Sequence, residues 1–437
     1  MKITLKNNKL FSLWFFYFLY TAAAAVLVQL IILPLFFPQW LNPEGFLESL
    51  LDSRVFHLTA RDLAEKIKLT DWSAWELFPQ GHAPSGIAAA LYVFTGSSYL
   101  SLIPLNAAVH AFSALLLFLS FRIILREPRK AFFCAAPFFF FPSSAIWYSQ
   151  LHKDGFFILG FIMIIYGWIR LLQPDKGFLA KFIRGSAFIC AGLFLTWLMR
   201  RYLLLPLTFL SLLLSVLISA FLFFRSRNVF VLKIKPAVTV CVILLLICFL
   251  FFNYSDELKS DISCLKKVEN ITQDTQQLAH SKLIKLTGMR NGFITTAGKS
   301  NYYVEYVDFT NFASVGNYFL KAITLGFLSP FPGQWFIHGT FEANTLMRRV
   351  AGFEMVVTYI SLIFLPYAVW VWRKRLEIWI ILLFCLPMLI LFSYVVCNIG
   401  TLYRMRYGFL TVLVGLGIAG AFQAHRDLRQ KTTKKAS

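Results

Sequence analysis

Long apolar runs alternate with short polar segments along the chain. A helix needs about 20 residues to cross a bilayer, whereas a transmembrane strand needs about ten with alternating polarity. The runs here are continuous, so they predict an all-α polytopic membrane protein with about ten transmembrane helices. They cover residues 10–37, 99–124, 131–149, 155–172, 185–199, 203–224, 236–253, 352–372, 377–397 and 407–424.

Composition agrees with this prediction, and charge gives an orientation. Hydrophobic residues make up 58% of the 437 positions and charged residues 14%, against about a quarter charged in ordinary soluble proteins. The net charge of +21 comes from Lys and Arg clusters beside the apolar runs, which the positive-inside rule assigns to the cytoplasm. This pattern favours membrane topology over nucleic-acid binding and predicts that both termini are cytoplasmic. The clusters lie at 2–9, 122–130, 170–184, 225–235, 373–375 and 426–435.

The orientation divides the chain into three segments. Residues 1–253 are predicted to form an N-terminal transmembrane module with a first outer loop at 38–98. Residues 254–351 are predicted to form an outer polar lobe, with a stretch at 316–329 that could be re-entrant. Residues 352–437 would hold the last transmembrane helices and a basic cytoplasmic tail.

The first outer loop contains an amphipathic pattern. Between residues 52 and 67, five apolar positions share one helical face, which predicts a helix lying along the membrane surface. The apolar stretch 86–94 is too short to cross, so it lies either at the interface or among other helices. The five positions are Phe56, Ala60, Leu63, Ala64 and Ile67.

Polar residues that could carry chemistry fall on the predicted outer side. Asp52 begins the surface helix, where a carboxylate serves either as a general base or as a helix N-cap. Lys153 and Asp154 form either an exposed turn or a second acid with a phosphate-binding lysine. Arg200 and Arg201 interrupt the apolar stretch 185–224. They also lie on the predicted outer side, where the charge rule disfavours basic residues, and a pair of guanidiniums there is suited to binding a lipid phosphate.

Further candidates share that side. Arg404 and Arg406 repeat the paired-arginine pattern and could bind phosphate or anionic lipid. Glu48, His82 and His338 could position an acceptor, although a lone histidine is more often structural. The sequence contains no Gly-rich phosphate loop, and no cofactor is predicted. A divalent cation could bind the acids, but no ligand spacing indicates one.

Several segments resemble a known superfamily. The acid after the first run, DSRVFHLTARDLAEKI and GHAPSGIAAALYVFTGSSYLSLIPLNAAVHAFSALLLFLSFRIIL together resemble the GT-C glycosyltransferases. PSSAIWYSQLHKD, LMRRYLLLP, LSPFPGQW and RMRYGF are similar to segments of bacterial surface-polysaccharide membrane proteins. Many GT-C members carry two adjacent acids in the first outer loop. Here Asp52 is followed by Ser53, so only Asp52 is carried over as the candidate base.

The resemblance implies an enzyme of the bacterial inner membrane. GT-C members are integral membrane glycosyltransferases that use polyprenyl-phosphate-linked sugars, and their first outer loop holds a catalytic acid. By this resemblance the chain would transfer a sugar, with inversion, to a glycan, lipid or protein acceptor on the outer face. Asp52 would be the base, and the second acid would be Asp154, which its position beside Lys153 suggests. Lys153 and the four paired arginines would hold the donor phosphate.

Other functions are open. An O-antigen ligase or polymerase would also work outside, on lipid-pyrophosphate-linked glycan, and would depend on His338 and the arginines more than on Asp52. A lipid-linked glycan flippase or transporter predicts polar residues within the spans, broken helices and internal repeats. The sequence shows few charges in the spans and no repeat, so this alternative is less favoured. A non-catalytic scaffold of a polysaccharide assembly complex is the remaining alternative.

Overall fold

The computed structural model consists of helices and their connections throughout the part of the chain that it describes. This part is residues 7–47, 51–173, 178–225, 283–284, 286–293, 307, 309–338 and 342–436. The N-terminal helices are α1 (Asn7–Leu27), α2 (Leu33–Phe36), α3 (Leu51–Leu69), α4 (Ala83–Thr95), α5 (Ile103–Leu125), α6 (Pro128–Phe140), α7 (Pro142–Ser149), α8 (Asp154–Leu171), α9 (Phe178–Met199) and α10 (Leu204–Arg225). The later helices are α11 (Phe312–Leu328), α12 (Glu342–Trp372), α13 (Leu376–Val395) and α14 (Ile399–Ala436).

The all-α prediction is confirmed for the described residues, but the count of about ten spans is not. Seven helical stretches are long and apolar enough to cross a membrane, or eight if the bent pair α6–α7 forms one span. The predicted span at 236–253 lies outside the described residues, and the one at 185–199 corresponds to a shorter apolar stretch, Ile183–Met199. The seven stretches are Asn8–Phe36, Tyr99–Leu125, Asp154–Leu171, Arg201–Ile218, Glu342–Trp372, Leu376–Val395 and Ile399–Thr433.

Packing divides the chain into two compact units, each discontinuous in sequence. The three segments predicted above describe membrane topology and not packing, so that division stays a prediction. The first unit comprises Met1–Leu204, Trp335–Ile381 and Thr411–Ser437. The second unit comprises Leu205–Gln334 and Leu382–Leu410.

The amphipathic helix predicted between residues 52 and 67 is confirmed as α3, and its position on the membrane surface stays a prediction. All five predicted face positions are buried, with exposed fractions of 7% or less. The stretch 86–94 lies in α4, whose Ala88, Ala89 and Tyr92 join the same apolar cluster. The stretch therefore packs on α3, and its position at the membrane interface stays a prediction.

Glycines allow α8 and α9 to approach each other closely. A Cβ on Gly192 would lie 2.4 Å from the carbonyl oxygen of Gly160, and one on Gly167 would lie 2.7 Å from that of Gly185. Gly160 of α8 faces Gly192 of α9, and the later Gly167 faces the earlier Gly185. The two helices are therefore antiparallel. Small residues at such contacts let transmembrane helices pack backbone against backbone.

We expect Gly192→Ala to destabilise the protein, because the new methyl group would overlap the Gly160 carbonyl oxygen. Overpacking of this kind costs about 1–3 kcal/mol. Gly316→Ala in α11 is the control, since a Cβ there has nothing within 4 Å and alanine favours the helix. Thermal unfolding in detergent compares the two variants. Equal unfolding temperatures would contradict close packing of α8 against α9.

Candidate functional site

Buried amides hold the start of the segment 38–98 against the segment that precedes α8. Gln150 donates from Nε2 to Oε1 of Gln29 (3.0 Å), and its side-chain oxygen accepts from the Leu47 N–H (3.3 Å). Its carbonyl accepts from Nδ2 of Asn106 (2.9 Å). Gln29 lies in a π-helical turn, Val28–Ile32, and donates to the carbonyl of Gly45. Because an unpaired buried polar group costs about 1–3 kcal/mol, these bonds fix the two segments together.

Two of the predicted site residues meet around the ring of Phe56 in α3. The His82 ring centroid lies 5.0 Å from that of Phe56, and Nζ of Lys153 lies 5.5 Å from the same centroid. Ser53 Oγ and His152 Nε2 are 3.0 Å apart, which ties the start of α3 to the residue before Lys153. The contacts therefore bring three parts of the chain to one place.

Asp52 belongs to the same group. It is exposed in the first turn of α3, next to the buried Ser53. The pKa of His82 is lowered from its ordinary value, chiefly by burial and then by Lys153, while the Asp52 carboxylate acts in the opposite direction. Both charges thus act on the imidazole. A carboxylate in a first turn is also favoured by the helix dipole, so a structural role for Asp52 stays open.

A tight turn positions His82. Gln80 and Gly81 both have positive φ, +52° and +80°, and Oγ1 of Thr59 in α3 donates to Oε1 of Gln80 (3.3 Å). Gly86 lets the preceding segment lie directly on α4, because a Cβ there would be 2.3 Å from the Leu77 carbonyl oxygen. The chain before His82 is therefore held on both α3 and α4.

Asp154 and Arg200 form a buried ion pair where the antiparallel helices α8 and α9 place them opposite each other. Their exposed fractions are 2% and 3%, and Nη2 of Arg200 donates to the Asp154 carboxylate. Burial lowers the pKa of Arg200, but Asp154 and the Tyr202 hydroxyl, which accepts from Nη1, raise it more, so the guanidinium keeps its charge. The interpretation of Lys153–Asp154 as an exposed turn is wrong for Asp154.

Arg201 lies in different surroundings from Arg200. It is half-buried, with its guanidinium carbon 4.2 Å from the ring centroid of Phe78 and 5.6 Å from that of Trp197. Phe78 and Trp197 themselves meet edge to face at 5.3 Å. Stacking engages the face of a guanidinium and directs its N–H donors sideways. We refer to Asp52, His82, Lys153, Asp154, Arg200 and Arg201 together as the polar cluster.

Arg406 caps a helix end in the second unit. It is fully buried, and Nη1 donates to the carbonyls of Leu325 (2.9 Å) and Gly326 (2.6 Å) at the end of α11. Nη2 donates to the Ser329 carbonyl. Basic side chains often satisfy the last carbonyls of a helix in this way. A phosphate would have to compete with these carbonyls, and phosphate binding by Arg406 stays a prediction.

The remaining candidates are Arg404, His338 and Glu48. Arg404 is half-buried in α14, within the second unit. His338 is exposed. Glu48 lies outside the described residues. Their predicted roles stay predictions.

Glu354 is a functional candidate that sequence reasoning missed. It is fully buried in α12, and its carboxylate accepts from the backbone N–H (2.7 Å) and the hydroxyl (2.8 Å) of Ser143, in the first turn of α7. The pair α6–α7 is bent by 55° just before this turn. A lone acid within an apolar run was the available signal, because such a residue is costly without a partner.

The cluster offers an exposed carboxylate, an ammonium and two guanidiniums at the ends of apolar helices. Among the described residues no group of three or more His, Cys, Asp or Glu could hold a metal ion. Comparison with family models, curated proteins and solved structures finds no match to this chain. The arrangement of the residues themselves is therefore the basis for a functional proposal.

We expect Asp154→Asn to destabilise the protein strongly, because it leaves the Arg200 charge buried without its partner. Breaking a buried pair in this way costs about 3–5 kcal/mol. Arg54→Gln is the control, since Arg54 and Glu44 form a partly exposed pair (3.3 Å) and surface pairs contribute about 0–1 kcal/mol. The measurement is the free energy of unfolding in detergent. Asp154→Leu combined with Arg200→Met should recover part of the loss, and similar losses in Asp154→Asn and Arg54→Gln would contradict burial of the pair.

Proposed function

We propose that this protein is a membrane glycosyltransferase of the GT-C type, which moves a sugar from a polyprenyl-phosphate donor to a glycan, lipid or protein acceptor. The observation that carries the proposal is the exposed Asp52 carboxylate beside Lys153, at the end of helices apolar enough to cross a membrane. A lipid-linked sugar has an apolar tail, a charged phosphate and a reacting carbon that a hydroxyl must reach. The polar cluster offers groups suited to the phosphate and the hydroxyl.

Asp52 is the proposed general base. The acceptor oxygen attacks the anomeric carbon of the sugar while its proton passes to the Asp52 carboxylate. The bond between that carbon and the donor phosphate oxygen breaks, and polyprenyl phosphate leaves with the bonding electrons. Attack opposite the leaving group inverts the anomeric configuration. The exposure of Asp52 supports this role, because a water-borne acceptor needs access to the base.

Lys153 and Arg201 are the proposed contacts for the leaving phosphate. Negative charge grows on the phosphate as the bond breaks, and cations held in place stabilise it. Both residues are half-buried within the polar cluster. Arg200 is already paired with Asp154. We therefore propose that Arg200 positions Arg201 and that Asp154 positions Lys153.

Aromatic residues of the first outer loop support a position at the membrane boundary. Trp72, Trp75 and Phe94 are exposed by 48%, 37% and 77%, and the rings of Trp72 and Phe94 lie 5.7 Å apart. Tryptophans concentrate where hydrocarbon meets headgroups, and an amphipathic helix such as α3 lies in the same plane. The charge rule adds the orientation, with this site on the outer face and both termini cytoplasmic. The resemblance to bacterial proteins adds the inner membrane of a bacterium.

One observation favours a second function, transport of a lipid-linked glycan. A helix broken between α6 and α7, with the buried Glu354 at the break, is a feature that transporters use near the bilayer midplane. Both oxygens of Glu354 accept bonds from Ser143, as a helix cap requires. The carboxylate therefore has a structural task, and transfer remains the proposed function.

We expect Asp52→Asn to abolish sugar transfer while leaving the protein folded in the membrane. Loss of a general base lowers a rate by about 10²–10⁴-fold. Asp62→Asn is the matched control, since Asp62 is also exposed on α3, where it pairs with Arg61. The measurement is mass spectrometry of lipid-linked and surface glycans from cells lacking the protein and complemented by each variant.

The outcomes separate the candidate functions. Loss of one sugar, restored by wild type and Asp62→Asn but not by Asp52→Asn, supports the transferase. Full restoration by Asp52→Asn excludes Asp52 as the base. Complete glycan units stalled on lipid at the outer face indicate a ligase or polymerase, and units retained on the cytoplasmic side indicate a transporter.

A further inference from the structure

A cavity of about 270 Å³ lies at the other end of α5 from the polar cluster. Asn106, near the start of α5, donates to Gln150 beside the cluster, whereas Leu125 at its end lines the cavity. At 1.5 Å per residue these positions are about 28 Å apart, close to the thickness of a bilayer core. The ends of α5 and α12, the start of α6 and a stretch of α14 surround the cavity.

Three of the larger residues that line the cavity are apolar. Leu125, Trp372 and Phe422 are each half-buried. Leu125 and Trp372 end stretches that are long and apolar enough to cross a membrane, and Phe422 lies within another. Trp372 is the last residue of α12. Tryptophan at such a position is typical of the zone where hydrocarbon meets headgroups.

Three other lining residues are cationic. Arg126, Arg375 and Arg426 come from three of the basic clusters that the charge rule places in the cytoplasm. The Glu127 and Lys130 side chains also line the cavity but neutralise each other in an ion pair of 2.9 Å. The three guanidiniums therefore give the cavity an excess of positive charge.

The acid nearest along the chain does not cancel this excess. Asp427, next to Arg426, accepts from the Tyr367 hydroxyl (2.6 Å) and from Nε2 of Gln423 (2.9 Å). Asp427 itself does not line the cavity. Its one negative charge still leaves the arginines in excess.

The backbone is bent to bring Arg126 to this place. Arg126 has φ +59°, in the left-handed region that residues other than glycine rarely adopt, and its N–H bonds to the Arg122 carbonyl at the end of α5. Nη1 of Arg375 donates to the carbonyl of Ile124, also at that end. Two arginines thus converge where α5 ends. Helices commonly end with a left-handed residue, so the ordinary end of α5 sets the position of Arg126.

We propose that this cavity binds the phosphate of an anionic phospholipid. The phosphate lies among the three arginines, which suit it as charged multiple donors, and an acyl chain lies against Leu125, Trp372 and Phe422. Inorganic phosphate has the same charged group but no acyl chain, so only a lipid matches both the cationic and the apolar lining residues. The site is separate from the polar cluster and does not depend on the proposed sugar transfer.

The test uses the full-length protein purified in a non-ionic detergent. Its unfolding temperature is measured against rising amounts of phosphatidylglycerol, phosphatidylcholine or inorganic phosphate. We expect phosphatidylglycerol to stabilise wild type at far lower concentration than the other two. In Arg126→Gln/Arg426→Gln the half-saturating concentration should rise about 25-fold, since each basic residue near an anionic lipid contributes about 1 kcal/mol, or about fivefold.

Arg373→Gln is the matched control. Arg373 is exposed, stacks on Trp370 at 4.1 Å and does not line the cavity, so this variant should bind phosphatidylglycerol as wild type does. Arg426→Gln alone, on the exposed surface of α14, should weaken binding about fivefold and serves if the double variant does not fold. Unchanged affinity in the Arg426→Gln and double variants, equal weakening in Arg373→Gln, or an equal response to inorganic phosphate would each overturn the proposal.

Discussion

Backbone-to-backbone packing of α8 against α9 is the constraint on which the polar cluster depends. Gly160, Gly167, Gly185 and Gly192 leave no room between the helices, so their ends are fixed relative to each other. Asp154 and Arg200 consequently meet without water between them. Removing two charges from water costs several kcal/mol per ion, and this cost is recovered only when the partners are held in place. The glycines supply that fixed geometry, and the ion pair then determines where Lys153 and Arg201 stand.

Buried amides extend the same constraint to parts of the chain that are far apart in sequence. Gln29, Asn106 and Gln150 would each be costly alone in an apolar environment, and they are stable because they bond to one another and to backbone groups. The start of the segment 38–98 is thereby held beside the segment that leads into α8. The helix α3 then places Asp52 in the same neighbourhood as Lys153, since both charges act on the His82 imidazole.

Local pattern predicted much of this architecture. The spacing of apolar residues identified α3, and the five positions predicted for its apolar face are buried. The charge rule placed several polar residues on one side of the membrane, and some of these meet in the polar cluster. The local pattern did not predict which polar side chains pair when they are far apart in the sequence. The sequence around Asp154 does not identify Arg200 as its partner, and the sequence around Glu354 does not identify Ser143. The partner of a buried charge depends on which helices pack together. The same reason applies to Arg406, whose position beside Arg404 suggested a phosphate site while its bonds are those of a helix cap.

Two carboxylates of the cluster illustrate how environment assigns roles. Asp52 and Asp154 are the same residue type in the first turns of two helices, yet one is exposed and the other is 2% exposed and paired with an arginine. A carboxylate that must accept a proton from an acceptor needs access from water, which Asp154 lacks. A carboxylate that must hold a cation in an apolar setting needs to be buried away from water, and Asp52 is exposed. If the proposed transfer is correct, the division follows from burial, because only the exposed acid can meet a hydroxyl and only the buried one can keep Arg200 in place.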